Sequence, residues 1–206
     1  MVTPESAMRL APVIPVLIIE DAGWAGPIAR ALVAGGLRAI EVTLRTPAAI
    51  EAITEMSKVE GAVVGAGTVL NSKDLDQALG AGARFIVSPG LTEPLARAAI
   101  AADVAFLPGV ATAGDIMRGM DLGLSFFKFF PAEASGGRKA LAALTAPFHG
   151  ARFCPTGGIN LTSATEWLAM PSVLCVGGSW LVSPGAPDVA AIQQRAAEAA
   201  GLPVRS

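Results

Sequence analysis

The stretch Val16-Leu17-Ile18-Ile19-Glu20-Asp21-Ala22-Gly23-Trp24 decides between the two folds open to this chain. A β-branched run at 13–18 ends in it, and an Ala/Leu-rich helical stretch at 26–34 follows. An open doubly wound sheet would carry a glycine-rich dinucleotide turn here, and the glycine spacing for one is missing. Working outward, the same rhythm repeats. Strand-like runs fall at 38–43, 62–66, 84–87, 105–107, 125–129, 152–154 and 172–176. Helical stretches between them include 46–56, 72–80, 93–101, 113–120 and 138–144, each with a Pro, Ser, Thr or Asp near its start or a Gly past its end. Strands alternating with helices imply parallel βαβ units, and eight of them in 206 residues predict an α/β fold, a small (β/α)8 TIM barrel. Residues 3–10 predict an extra N-terminal helix, capped by Thr3 and covering the amino-terminal mouth. No linker or low-complexity segment interrupts the chain, so residues 1–206 are expected to form a single domain with a frayed tail at 202–206.

Composition narrows the function. Hydrophobic residues make up 52% and charged residues 16%, so most elements must bury at least one face. With a formal charge of −2 and no basic cluster, nucleic acid is not an expected partner. The apolar run at 10–19 holds two prolines and is too short to span a bilayer, so neither membrane segment nor signal peptide is expected. Cys154 and Cys175 lie in apolar strand-like runs and read as reduced, buried thiols of a cytoplasmic protein rather than a disulfide. The single histidine, His149, excludes a metal site built from several histidines, and no metal or cofactor is expected.

Three features carry chemistry. Lys128 sits in Ser125-Phe126-Phe127-Lys128-Phe129-Phe130-Pro131, a cation among four phenylalanines. Such surroundings disfavour the ammonium and favour a neutral, nucleophilic amine, the requirement for a Schiff base; a lysine snorkelling from an edge strand is the plain alternative. The other lysines (58, 73 and 139) lie in polar contexts. Glu41, between Ile40 and Val42, is a carboxylate inside a strand, placed by alternation to face the interior. A lysine nucleophile needs a neighbouring proton shuttle, which Glu41 can supply; an isolated structural glutamate is the alternative. Gly157-Gly158 and Gly177-Gly178-Ser179 follow the last two strands, where barrels commonly bind phosphate. Arg45, just past the strand that holds Glu41, has the planar fork for a carboxylate, and Thr43, Thr68 and Thr156 are hydroxyls at strand ends.

Together these motifs resemble the 2-keto-3-deoxy-6-phosphogluconate (KDPG) aldolase family, which also includes 4-hydroxy-2-oxoglutarate (KHG) aldolase activity. The matching pieces are Glu41-Val42-Thr43-Leu44-Arg45-Thr46, Val64-Gly65-Ala66-Gly67-Thr68-Val69, Phe85-Ile86-Val87-Ser88-Pro89-Gly90, Pro108-Gly109-Val110-Ala111-Thr112, Phe127-Lys128-Phe129-Phe130-Pro131-Ala132-Glu133, Pro155-Thr156-Gly157-Gly158 and Val176-Gly177-Gly178-Ser179-Trp180. The resemblance implies a class I aldolase that assembles as a homotrimer and cleaves a phosphorylated keto acid. It implies that Lys128 forms the imine and Glu41 is the general acid/base. By the same resemblance Arg45, Thr68 and the Pro89 region receive the pyruvate carboxylate, and Phe130 packs on the pyruvate part. Thr156 would contact substrate hydroxyls, and Gly157, Gly158, Gly178 and Ser179 would hold the phosphate. The Thr-Leu-Arg-Thr run after Glu41 looks more like the phosphogluconate than the phosphogalactonate enzyme. A phosphosugar isomerase using Glu41 alone, or a non-catalytic phosphoester binder, are the competing readings.

Overall fold

The computed structural model describes residues 2–204. Of the predicted frayed tail, Arg205 and Ser206 lie outside the described residues. The chain opens with α1 (Pro4–Met8), capped by Thr3, whose hydroxyl accepts from the Ser6 amide while Ser6 returns the bond to the Thr3 amide. Then follow β1 (Val13–Leu17), α2 (Ala25–Ala34), β2 (Ala39–Thr43), α3 (Ala49–Ser57), β3 (Val63–Gly67), α4 (Ser72–Gly80), β4 (Phe85–Val87), α5 (Glu93–Ala101) and β5 (Ala105–Leu107). The second half holds β6 (Gly109–Val110), α6 (Ala113–Asp121), β7 (Phe126–Phe129), α7 (Gly137–Thr145), β8 (Arg152–Pro155), α8 (Leu161–Leu168), β9 (Val176–Gly178) and α9 (Val189–Ala200). Among the described residues no helix is long and apolar enough to cross a membrane.

The strands do not form the closed eight-stranded barrel that the sequence predicts. They pair in two parallel sheets, one of six strands in the order β5-β4-β3-β2-β1-β9 and one of three in the order β6-β7-β8. Two prolines explain the seams. Pro108 separates β5 from β6 and has no N–H to continue the ladder. Pro155 ends β8, which meets the β9 segment only through isolated bridges, Phe153 to Val173 and Thr156 to Gly177. Those bridges advance three residues on one side and four on the other, so one residue is left over and regular pairing stops, as at a bulge. The last strand accordingly lies at Val176–Gly178, later than the predicted 172–176.

Burial follows the pleat. One face of the strands packs against the helices in a large core that includes Leu17, Ile40, Val42, Phe127, Phe129 and Trp167. The opposite faces enclose a smaller core of Ile14, Ala39, Phe85, Val87, Ala105, Leu107, Cys154 and Cys175, joined by Ala7 and Met8 from α1. The short helix therefore lies against the first residues of several strands, leaving the carboxyl ends open for polar side chains.

Candidate active site

Alternation along β7 sends Phe127 and Phe129 to the helix-facing core, where Phe127 packs on Phe153 (5.9 Å) and Phe129 on Trp167 (6.2 Å). Lys128 points the other way. It is thus not enclosed by four phenylalanines: two of the rings lie on the opposite face, and the amine lies over the ring of Phe130, whose centroid is 5.2 Å from Nζ. The side chain is buried all the same, with 6% of the residue exposed.

Across the interior, Lys128 Nζ donates to Glu41 Oε1 at 3.1 Å, and Glu41 is 3% exposed. The two residues come from different sheets. β2 can accommodate a buried glutamate because β3 supplies glycine beside it. A Cβ on Gly67 would stand 2.1 Å from Glu41 Oε1, so the carboxylate fills the volume that any side chain there would take. At this separation one proton can pass between amine and carboxylate, leaving the amine free to attack a carbonyl and the acid ready to return the proton.

Arg45 and Thr68 are brought together past the ends of β2 and β3, with Arg45 Nε donating to Thr68 Oγ1 at 3.3 Å. Thr68 has φ +57°, a left-handed conformation that a β-branched residue adopts at a cost of about 1–3 kcal/mol. Arg45 is exposed and Thr68 half-buried, so the guanidinium reaches solvent at the strand ends. Pro89 is exposed past β4, where the Ser88 hydroxyl donates to the Gly90 carbonyl and closes the turn around it. Thr43 is buried and its hydroxyl donates to the Leu17 carbonyl at 2.8 Å, which ties β2 to β1.

Thr156 is buried past β8, 7% exposed, its hydroxyl 3.4 Å from the Cys154 carbonyl that accepts from it. Gly157 and Gly158 both have positive φ, +107° and +80°, a path that other residues rarely follow. The second glycine pair works differently. Gly177 and Gly178 lie within or against β9, and side chains on them would strike Thr156 (2.2 Å) and the Trp180 ring (2.3 Å). They make room for neighbours. Ser179 is exposed and lines a cavity of about 310 Å³ with Val16, Ile18, Glu20, Trp24 and Ser183. A hollow of about 500 Å³ lies elsewhere, between α7 and α8 beside the exposed His149, and none of the candidate residues lines it.

The sequence reading gave no role to Gly67, although the Gly65-Ala66-Gly67 run in a strand signals a close approach. The cysteines are reduced and buried as the sequence predicts. Cys154 is level with Lys128 in the β7–β8 register, and both cysteines are free and buried in the inner core. Burial first, then its hydrogen bond to Cys154 and the nearby Glu41 carboxylate, pushes the Cys175 thiol well above its ordinary range.

The KDPG and KHG aldolase family model matches residues 5–195. The chain is 62% identical over 198 residues to a 2-dehydro-3-deoxy-phosphogluconate aldolase of Zymomonas mobilis, covering 96% of this chain and 95% of that protein. A crystal structure of the Zymomonas mobilis 2-keto-3-deoxy-6-phosphogluconate aldolase with 3-phosphoglycerate superposes with a TM-score of 0.96 at 61% identity, covering 98% of this chain and 96% of that one. The KDPG aldolase of Legionella pneumophila, with pyruvate captured as a covalent carbinolamine, superposes with a TM-score of 0.94 at 40% identity, over 97% of this chain and 99% of that one. The buried lysine–glutamate pair, joined across the interior from β7 and β2, thus stands in a chain that belongs to the KDPG and KHG aldolase family.

Proposed function

We propose that this chain is a class I aldolase cleaving 2-dehydro-3-deoxy-6-phosphogluconate to pyruvate and glyceraldehyde 3-phosphate through an imine on Lys128. The single observation that carries the mechanism is the 3.1 Å contact between Lys128 Nζ and Glu41 Oε1 in a buried site. The covalent carbinolamine formed by the Legionella pneumophila protein supports the same chemistry.

The steps follow from the pair. Neutral Lys128 attacks the C2 carbonyl of the keto acid, and Glu41, acting through a water, moves the protons that turn the carbinolamine into an iminium and release water. Glu41, through the same water, takes the C4 hydroxyl proton as the C3–C4 bond breaks. The electron pair enters the C2 iminium as an enamine and glyceraldehyde 3-phosphate leaves. Glu41 gives that proton to C3, and water hydrolyses the resulting iminium to pyruvate and the free amine. Arg45 and Thr68, with the Pro89 turn, hold the carboxylate, and Phe130 covers the pyruvate methyl region. Thr156 contacts the substrate hydroxyls. The Gly157-Gly158 loop, with Gly178 and Ser179, holds the phosphate.

The protein works as a cytoplasmic homotrimer in this reading, without metal or cofactor. Its test is a panel of the gluconate- and galactonate-derived phosphorylated keto acids, following pyruvate release. Faster release from the gluconate series supports the proposal. Solvent deuterium uptake with an intact carbon chain would instead support an isomerase.

A further inference from the structure

The loop after β8 is tied to the segment after β7 by two backbone hydrogen bonds. The carbonyl of Thr156 accepts from the Ala132 amide at 2.8 Å, and the carbonyl of Gly157 from the Glu133 amide at 3.1 Å. In a trans peptide the N–H lies opposite the C=O. Fixing these two carbonyls toward residues 132 and 133 therefore turns the N–H groups of Gly157 and Gly158 the other way.

What fixes residue 133 is a second contact. Glu133 Oε1 accepts from the indole N–H of Trp167, on α8, at 2.9 Å. Trp167 is fully buried, so its N–H requires a partner, and Glu133 provides it from the surface. The aliphatic stem of Glu133 meanwhile lies against the loop: a Cβ on Gly158 would stand 2.7 Å from Glu133 Cγ and 2.9 Å from its Cβ. Glu133 thus bridges the loop and α8, and acts as a clamp on the loop. The clamp also keeps the carboxylate on the carbonyl side, where it does not oppose an anion bound at the N–H side.

We infer that Glu133 and Trp167 are positioning residues for phosphate: without touching the substrate, they set the peptide orientation of Gly157 and Gly158. The inference rests on the phosphate placement proposed above. Steady-state cleavage of 2-dehydro-3-deoxy-6-phosphogluconate, with pyruvate as product inhibitor, separates the two. In Glu133→Ala and Trp167→Phe the KM should rise about tenfold, with kcat within about twofold and the pyruvate inhibition constant unchanged, because only the phosphate end loses contacts. Glu133→Gln keeps an oxygen for the indole N–H and should restore a near-native KM. Glu133 is exposed, and Trp167→Phe removes the indole donor together with its need for a partner, so the pair separates loss of the contact from an unsatisfied buried N–H. An unchanged KM in both variants, or a pyruvate constant that weakens in parallel with KM, overturns the inference. Ser179→Ala marks the other failure. If it leaves KM unchanged, the phosphate placement is wrong; if it raises KM while the clamp variants do not, the inference alone falls.

Discussion

Lys128 on β7 and Glu41 on β2 are joined by a 3.1 Å hydrogen bond that spans the two sheets. Each is almost wholly buried, so neither charge has water to turn to. Removing one partner of such a pair typically costs about 3–5 kcal/mol, because the other is left uncompensated. Glu41→Gln keeps the shape and a hydrogen-bonding group but cannot carry protons. We expect it to bind substrate with little change in KM and to turn over roughly 100-fold more slowly or worse. A near-native rate would assign the acid/base role to another residue.

Gly67 makes room for Glu41, so Gly67→Ala should act through it. The added Cβ would stand 2.1 Å from Oε1 and must displace the carboxylate from Lys128. Turnover should fall by about tenfold or more, with a loss of roughly 1–3 kcal/mol in denaturant-measured stability. The double variant Gly67→Ala, Glu41→Gln should be no slower than Glu41→Gln, since residues acting as a unit are not additive. Additive rate losses would show that Gly67 acts independently of Glu41.

How much of this could be read in the sequence depends on the kind of interaction. Lys128 and Glu41 stood out because a charge inside an apolar strand is a local anomaly, and alternation alone says that both can face inward. The predicted helices 72–80 and 93–101 match α4 (Ser72–Gly80) and α5 (Glu93–Ala101), where Asn71 and the Pro94 turn mark the starts. Closure of the sheet was not legible. Counting strands says nothing of the pairing across a seam, although Pro108 and Pro155 were visible as residues without an N–H. The enclosure of Lys128 by phenylalanines failed for the reason that identified Glu41: alternation sends Phe127 and Phe129 to the other face. The space-making roles of Gly67, Gly177 and Gly178 depend on neighbours across strands or around a turn, which no local pattern reports.

Asp115 gives a pH-dependent prediction. Burial works to raise its carboxyl, but the Ala111 amide, the Thr112 hydroxyl and amide, and the Arg118 guanidinium outweigh it and hold it below its ordinary 3.8. Its folded form therefore favours the carboxylate. The stability it contributes is complete above the unfolded value and is lost as pH falls through the lower folded value. Asp115→Asn should cost about 1 kcal/mol in urea unfolding at neutral pH, the usual magnitude for an N-terminal helix cap. The gap from the native protein should narrow at about pH 3, below the free carboxyl's value. A constant gap would place the contribution in packing rather than charge.

Cys154 and Cys175 are buried, and Cys175 is held as the neutral thiol by its surroundings. The thiolate is the reactive form, so both should resist an alkylating reagent in the native protein and react once it is unfolded. Mass spectrometry after brief iodoacetamide treatment should show no label before denaturation and two after. Rapid native labelling would mean that the inner core opens to solvent.

The imine itself can be caught. The protein is incubated with pyruvate, reduced with borohydride, digested and mapped by mass spectrometry. Our account predicts one reduced pyruvate adduct, on Lys128, with loss of KDPG cleavage in step with its formation. No adduct, an adduct on Lys58, Lys73 or Lys139 instead, or unchanged turnover in Lys128→Ala would contradict it.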